Sequence, residues 1–107
     1  MAEVLSIDEL RERIDVIDNQ LVRLLNVRVA CAVEIGKLKH ELAMPVYQPE
    51  REKKVLEKVK RSAQDLAGPL TAEAVVRIFE RIIDEARRAE RESSSSSNED
   101  FGPSAAE

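Results

Sequence analysis

Apolar residues recur at alternating intervals of four and three positions from residue 10 to residue 42, which is the pattern of a heptad seam on one long helix. The seam consists of Leu10, Ile14, Ile17, Leu21, Leu24, Arg28, Cys31, Ile35, Leu38 and Leu42. We interpret the small Cys31 as an ordinary core residue. Arg28 interrupts the apolar series. It must reach out of the seam, bridge to an acid on a partner helix, or meet an anion within the seam, because an unpaired buried charge is costly.

Local signals set the ends of this first helix. Ser6-Ile7-Asp8-Glu9 forms a capping box in which the Ser6 hydroxyl accepts from an orphan amide. Pro45 stops the helix, so we predict it from residue 7 to residue 41. A helix of that length spans roughly 50 Å, whereas a compact chain of this size has a radius of gyration of only about 13 Å. The rest of the chain cannot cover such a stripe, and a second copy of the chain is the simplest cover.

Two shorter helices follow, so the sequence predicts an all-α fold of three helices. Pro49 suits the start of the second, predicted over 49–64, and Thr71 caps the third, predicted to end near Arg91 or Glu92. Their inward positions are Glu52, Val55, Leu56, Val59 and Ala63, then Val75, Phe79, Ile82 and Ala86, widened by Ile78 and Ile83, with Ala89 or Glu90 next. A run of five serines then begins. We therefore predict a helical domain over 1–92 and a disordered tail over 93–107.

Composition narrows the class of protein. Charged residues make up 36% of the 107 residues and aromatic residues 3%, which suits a helical bundle rather than a sandwich or barrel. The net charge of −4 argues against a nucleic-acid or acidic-membrane surface. No apolar run approaches the ~20 residues of a membrane span. We see no secretory signal, and the single cysteine cannot form an internal disulfide, so we expect a cytoplasmic protein.

Polar residues at inward positions are candidates for a binding site. Lys39 follows Arg28 by eleven residues, so the two share a helix face about 16 Å apart and could bracket one small anion. Arg11 lies about 25 Å before Arg28 and could reach it only from the antiparallel helix of a second chain. These residues and the two inward glutamates also have interpretations that involve no ligand. Lys39 could be solvated, Arg11 could be a surface residue, Glu52 could be a salt-bridged or first-turn acid, and Glu90 could end a helix.

The sequence offers no obvious nucleophile or metal site. His40 is the only histidine, and no spacing of cysteine and histidine resembles a zinc site. There is no glycine-rich phosphate loop and no G-x-S-x-G elbow.

The polar positions and their apolar neighbours form motifs in a fixed order. These are Leu10-Arg11, Ile14-Asp15-x-x-Asp18, Leu24-Leu25-x-x-Arg28, Glu34-Ile35-Gly36-Lys37-x-Lys39, Pro45-Val46-Tyr47-x-Pro49-x-Arg51-Glu52, and Gly68-Pro69-Leu70 followed by Val75-x-x-Ile78-Phe79-x-x-Ile82-Ile83. Over about residues 6–92 they resemble the all-helical (AroQ-type) chorismate mutases. That form also occurs at the N-terminus of some prephenate dehydratases.

The resemblance implies an intertwined homodimer of three-helix chains that rearranges chorismate to prephenate without a cofactor. Arg28 and the partner's Arg11 would grip the two substrate carboxylates, because a guanidinium binds a carboxylate through two hydrogen bonds. Lys39 would donate to the ether oxygen, where negative charge grows as the C–O bond breaks. Arg51 would support the site, and Glu52 would accept from the ring hydroxyl.

Three positions depart from the commonest family pattern. Gln48 stands where an aspartate is frequent, Ala86 where a serine is often found, and Glu90 where a glutamine is common. A glutamine can donate to the ether oxygen at any pH, whereas a glutamate donates only when protonated. We therefore hypothesise that Glu90 acts in catalysis and that activity rises toward mildly acidic pH.

Two other functions suit the same residues. An isochorismate pyruvate lyase on this scaffold needs the same cationic pocket. A non-catalytic helical dimerisation or regulatory module would use Arg28 and Lys39 only to bridge to acids across an interface.

Overall fold

The computed structural model describes the backbone of residues 4–45 and 47–101 and the side chains of those residues up to Ser94. This part of the chain forms three helices, α1 (Ile7–Glu41), α2 (Pro49–Leu66) and α3 (Ala72–Phe101), and contains no strand. The predicted all-α fold of three helices is confirmed. Over the described residues, none of the helices has the length and hydropathy needed to cross a lipid bilayer.

Helix α1 begins and ends where its local signals predict. The backbone N–H of Glu9 donates to the Ser6 hydroxyl at 3.1 Å, which confirms Ser6 as the N-cap. Asp8 and Glu9 lie in the first turn, and Lys39 and His40 in the last, so each end carries the charge that its dipole favours. The chain then turns through Ala43, whose φ of 53° is left-handed, before Pro45 prevents further helix.

Helices α2 and α3 are also set by their caps. Pro49 occupies the first turn of α2, as predicted, and the helix ends at Leu66 rather than residue 64. The left-handed residue Ala67 closes it, donating its N–H to the Ala63 carbonyl at 3.1 Å. The Thr71 hydroxyl accepts from the backbone N–H of Ala74 at 3.1 Å, so the predicted cap of α3 is confirmed.

The predicted end of the third helix near Arg91 or Glu92 is wrong, because α3 continues to Phe101. Serine is only a mediocre helix former, not a breaker, and extending an existing helix is far easier than starting one. The first strong breakers are Gly102 and Pro103, which follow the observed end. Residues 102–107 of the predicted tail lie outside the described residues, and the domain boundary at residue 92 stays a prediction.

Helix α3 packs against both α1 and α2. The inward positions predicted for α2 and α3 are half-buried, except that Ala86 is buried, with 5% of its surface exposed, and Ile78 is 48% exposed. Ile78 was predicted to widen the buried face of α3, and this prediction is wrong. Among the described residues, Ala86 is the one hydrophobic side chain that is buried in the single chain.

The single chain is a thin slab rather than a globule. It measures 69 × 34 × 16 Å, with a radius of gyration of 19.0 Å. Helix axes pack about 8–10 Å apart, so a slab of this thickness has no room for a further layer of helices over α1. Most of the α1 seam is exposed, namely Leu10, Ile14, Ile17, Leu21, Leu24, Cys31, Ile35, Leu38 and Leu42. The interpretation of Cys31 as a core residue is therefore wrong for the single chain.

Candidate active site

A pocket of about 370 Å³ lies between the second half of α1, the start of α2 and the middle of α3. It is lined by Arg28, Cys31, Ala32, Ile35, Lys39, Gln48, Arg51, Glu52, Val55, Ile83, Ala86 and Glu90. Seven of the eight predicted site residues are in this set. The pocket thus combines three cationic side chains with two carboxylates on a partly apolar wall.

Arg11 is the predicted site residue that the fold does not bring to this pocket. It is exposed on the N-terminal half of α1 and does not line the cavity. The helical rise places it about 25 Å along the axis from Arg28. Its predicted role needs a second chain and stays a prediction.

Arg28 lies inward rather than reaching out of the seam. It is half-buried, and its Cζ atom is 5.8 Å from the centroid of the Phe79 ring, which is the distance of a cation–π contact. Among the described residues it forms no ion pair. Phe79 therefore supports the guanidinium from α3 while Arg28 lines the pocket. Lys39 is half-buried on the same wall, so the predicted shared face of Arg28 and Lys39 is confirmed.

Glu90 enters the pocket from α3 in a partly desolvated position. Burial raises the pKa of its carboxyl group, and the charges of Lys39 and Arg87 oppose that rise only in part. Gly36 on α1 lies directly against it, since a Cβ atom at Gly36 would lie 3.3 Å from Glu90 Oε2. The sequence analysis did not assign this role to Gly36, because only the fold brings α1 and α3 so close.

Glu52 is held by a residue that the sequence analysis missed. The Arg87 guanidinium donates from Nη2 to Glu52 Oε1, and this pair is partly buried. The salt-bridged interpretation of Glu52 is therefore confirmed, and Glu52 also lines the pocket. The signal that could have identified Arg87 is its position three residues before Glu90, which places the two on one face of α3.

The described residues contain no group of three or more histidine, cysteine, aspartate and glutamate side chains that could hold a metal ion. The pocket instead offers charged donors and acceptors in fixed positions. Such an arrangement can bind an organic anion and stabilise charge that develops during a reaction.

Fold and pocket together define an all-helical protein with a small pocket of mixed charge. A family model described as chorismate mutase type II matches residues 10–91. The chain therefore belongs to the type II chorismate mutase family, and the resemblance found in the sequence is confirmed.

The names of several similar proteins also include chorismate mutase. A bifunctional chorismate mutase/prephenate dehydratase of Neisseria gonorrhoeae is 45% identical over 91 residues, covering 80% of this chain and 24% of its own length. The Aquifex aeolicus protein of that name is 41% identical over 76 residues, covering 70% and 21%. A chorismate mutase of Methanocaldococcus jannaschii is 32% identical over 57 residues, covering 53% and 58%. The chain thus spans less than a quarter of the two bifunctional relatives. No solved structure gave a significant match.

Proposed function

We propose that this chain is a cytoplasmic, homodimeric chorismate mutase that rearranges chorismate to prephenate on the route to phenylalanine and tyrosine. The observation that carries the proposal is that seven predicted site residues meet in one pocket, all of them within the matched range 10–91. In this [3,3] rearrangement the C–O bond breaks as the new C–C bond forms. The protein therefore has to hold the compact substrate conformation and stabilise charge, and no covalent intermediate is needed.

The cations bind the substrate carboxylates. Arg28 holds one carboxylate, and Arg11 of the partner subunit holds the other, each through paired N–H donors. The contact with Phe79 limits the orientations that the Arg28 guanidinium can adopt. Arg51 adds positive charge from the first turn of α2.

Lys39 and Glu90 act at the ether oxygen, where negative charge develops. Lys39 donates from its ammonium group, and Glu90 donates when its carboxyl is protonated. The burial that raises the pKa of Glu90 increases the protonated fraction near neutral pH. Protonation also removes one of the two carboxylate charges in the pocket, which favours binding of a dianion.

Three remaining positions shape the ring end of the pocket. Glu52 accepts a hydrogen bond from the ring hydroxyl, and Gln48 lies at the rim. Ala86 is buried in the wall of the pocket, where a serine would offer a hydroxyl to a substrate carboxylate. The alanine therefore leaves that carboxylate to the cationic side chains.

The exposed seam of α1 supports the homodimer. Monomeric proteins seldom leave a long apolar stripe in water, and this stripe includes Leu10, Ile14, Ile17, Leu21 and Leu24. A second α1 packed antiparallel covers the stripe and brings the partner's Arg11 toward Arg28. The pocket is then complete only in the dimer.

The proposal is tested by following the loss of chorismate absorbance and identifying prephenate as the product. We expect turnover by the wild type and a loss of about 100-fold or more in Arg28→Ala, because a charged group bound to the substrate is removed. Light scattering should show that the variant remains a dimer. Arg77→Ala, which changes an exposed arginine on α3, is the matched control and should keep wild-type turnover.

Other outcomes separate the alternatives. Release of pyruvate from isochorismate, with no prephenate formed from chorismate, would identify the lyase. A folded dimer that acts on neither substrate would contradict the proposed function and favour a non-catalytic module.

A further inference from the structure

Arg87 connects three parts of the chain beside the pocket. Its Nη2 donates to Glu52 Oε1 on the first turn of α2, and its Cζ lies 5.9 Å from the centroid of the Tyr47 ring. Its Nη1 is 3.8 Å from Asp84 Oδ1, one turn back on α3. Arg87 and Tyr47 do not line the pocket, whereas Glu52 does. Any effect of Arg87 on the pocket is therefore transmitted through another residue.

The first turn of α2 lacks a side-chain cap. Gln48 is the N-cap residue of α2, but its side chain makes no capping hydrogen bond. The start of the helix therefore lacks the side-chain partner that usually fixes it. That turn carries Arg51 and Glu52, and Gln48 precedes it, so three pocket residues move if the turn moves. The contact with Arg87 ties this turn to the middle of α3.

We propose that Arg87 is a positioning residue, which clamps Glu52 and Tyr47 and so holds the first turn of α2 and the Glu52 carboxylate at the pocket. The planar guanidinium is suited to this task, because it can donate along its edge to a carboxylate while its face lies on an aromatic ring. A lysine has a single ammonium centre and cannot do both equally well. The catalytic part of this inference rests on the proposed function.

The clamp also changes the electrostatics of Glu90. The charged groups that face Glu90 from the three helices are Lys39 and Arg28 on α1, Arg51 and Glu52 on α2, and Arg87 on α3. Arg87 lowers the pKa of Glu90, and it also offsets the charge of Glu52. Removing Arg87 removes both effects, so the pKa of Glu90 rises further. The pH dependence of activity should then shift to higher pH.

The chain contains a built-in probe of the clamp. Tyr47 is its only tyrosine, and there is no tryptophan, so intrinsic fluorescence reports on the ring that Arg87 contacts. The variants are Arg87→Leu, which keeps bulk but loses the guanidinium, and Arg87→Lys, which keeps the charge. Arg88→Leu, at the exposed neighbouring arginine, is the matched control.

For Arg87→Leu we expect a loss of about tenfold in kcat/KM, as for one partly exposed charge-assisted hydrogen bond. We also expect a pH profile displaced to higher pH and stronger quenching of Tyr47 fluorescence by acrylamide. Arg87→Lys should keep the pH profile near that of the wild type, because the charge remains. Arg88→Leu should match the wild type in all three measurements.

The same variant in a second background separates positioning from general stability. If Arg87 positions the pocket through Glu52, then adding Arg87→Leu to Glu52→Gln should change the low-pH limit of kcat/KM, where Glu90 is protonated in every variant, by less than about twofold, because coupled sites are not additive. An equal tenfold loss in both backgrounds, or wild-type rate, pH profile and quenching in Arg87→Leu, would overturn the inference.

Two further results remain decisive. If Arg87→Leu does not fold, Arg87→Lys is used for the test. We then expect acrylamide to quench Tyr47 fluorescence more strongly than in the wild type, and quenching equal to that of the wild type would overturn the inference. If the wild type does not turn over chorismate, the proposed function fails by itself. Tyr47 quenching and the NMR titration of the Glu90 carboxyl then still show whether Arg87 holds the cluster.

Discussion

At the scale of single residues, the raised pKa of Glu90 links protonation to stability and, under the proposed function, to activity. Its pKa is raised from 4.5 because burial removes water from the charged form. The folded chain therefore binds this proton more tightly than the unfolded chain. The resulting contribution to stability is complete below the ordinary pKa and is lost as pH rises through the raised pKa.

Replacing Glu90 by glutamine should therefore have two effects. The melting temperature at pH 7 should rise, because the buried charge is gone, and activity should become nearly independent of pH between about pH 5 and 8, because an amide donates throughout. Thermal unfolding by circular dichroism and chorismate assays across this range measure both. Glu92→Gln, at an exposed position two residues after Glu90 on α3, is the control. A wild-type profile that is already flat would contradict the role of Glu90.

Gly36 is the second residue at which stability and activity should separate. Gly36→Ala removes a flexible residue from a helix interior and should stabilise the fold by about 0.5–1 kcal/mol. Its new Cβ would lie 3.3 Å from Glu90 Oε2, so the carboxyl must shift and activity should fall. Urea unfolding and kcat/KM measure the two effects. Gly68→Ala is the matched control, since a Cβ there meets nothing within 4 Å. Unchanged activity in Gly36→Ala would show that the close approach is unimportant.

At the scale of elements, α2 ends at a residue that is unusual for its backbone conformation. Ala67 closes the helix with a φ of 51°, which is the left-handed region where a Cβ is unfavourable. Ala67→Gly should raise the free energy of unfolding by about 1 kcal/mol at a fixed chain concentration, because glycine adopts this conformation without strain. Ala63→Gly, one turn earlier in the helix interior, should lower it by about the same amount. If urea unfolding showed that both substitutions change the free energy of unfolding in the same direction, this explanation would be contradicted.

Helix ends that are marked by a capping residue or a proline were the predictable part of the fold. Ser6, Pro49 and Thr71 mark helix starts that the sequence predicted and the structure contains. The end of α3 was not predictable in the same way, because the serine run lowers helix propensity gradually and supplies no definite stop. A sharp composition change is therefore weaker guidance than a proline or a cap.

The residues that line the pocket were predictable from the sequence, but the contacts between side chains around it were not. Periodicity placed Arg28 and Lys39 on one face, and the family resemblance supplied most of the others. Arg87 was missed because its partners Glu52 and Tyr47 come from distant parts of the sequence. Spacing along one helix carries no information about such contacts.

At the scale of the whole molecule, the thin slab supports the proposal that the pocket is completed by a second chain. Mixing two inactive variants tests this directly. Arg11→Ala and Arg28→Ala should each be inactive alone. An equimolar mixture that is refolded together should recover about a quarter of wild-type activity, because half of the dimers contain one chain of each variant and each such dimer has one intact site of two. Chorismate turnover before and after co-refolding measures the recovery. No recovery, with mixed dimers verified by mass spectrometry, would place both arginines in one chain's site or exclude Arg11.

In the proposed homodimer, the seam of α1 also limits where this chain can accept mutations. In a symmetric pair every substitution is present twice, so a change at Leu21 removes packing at two places in one assembly. Leucine-to-alanine changes cost about 2–5 kcal/mol per buried site, and twice that amount approaches the whole stability of a small domain. A change at an exposed residue of α2, such as Lys53, has no comparable effect. Sequence drift should therefore accumulate on the outer faces of α2 and α3, while the seam of α1 changes slowly.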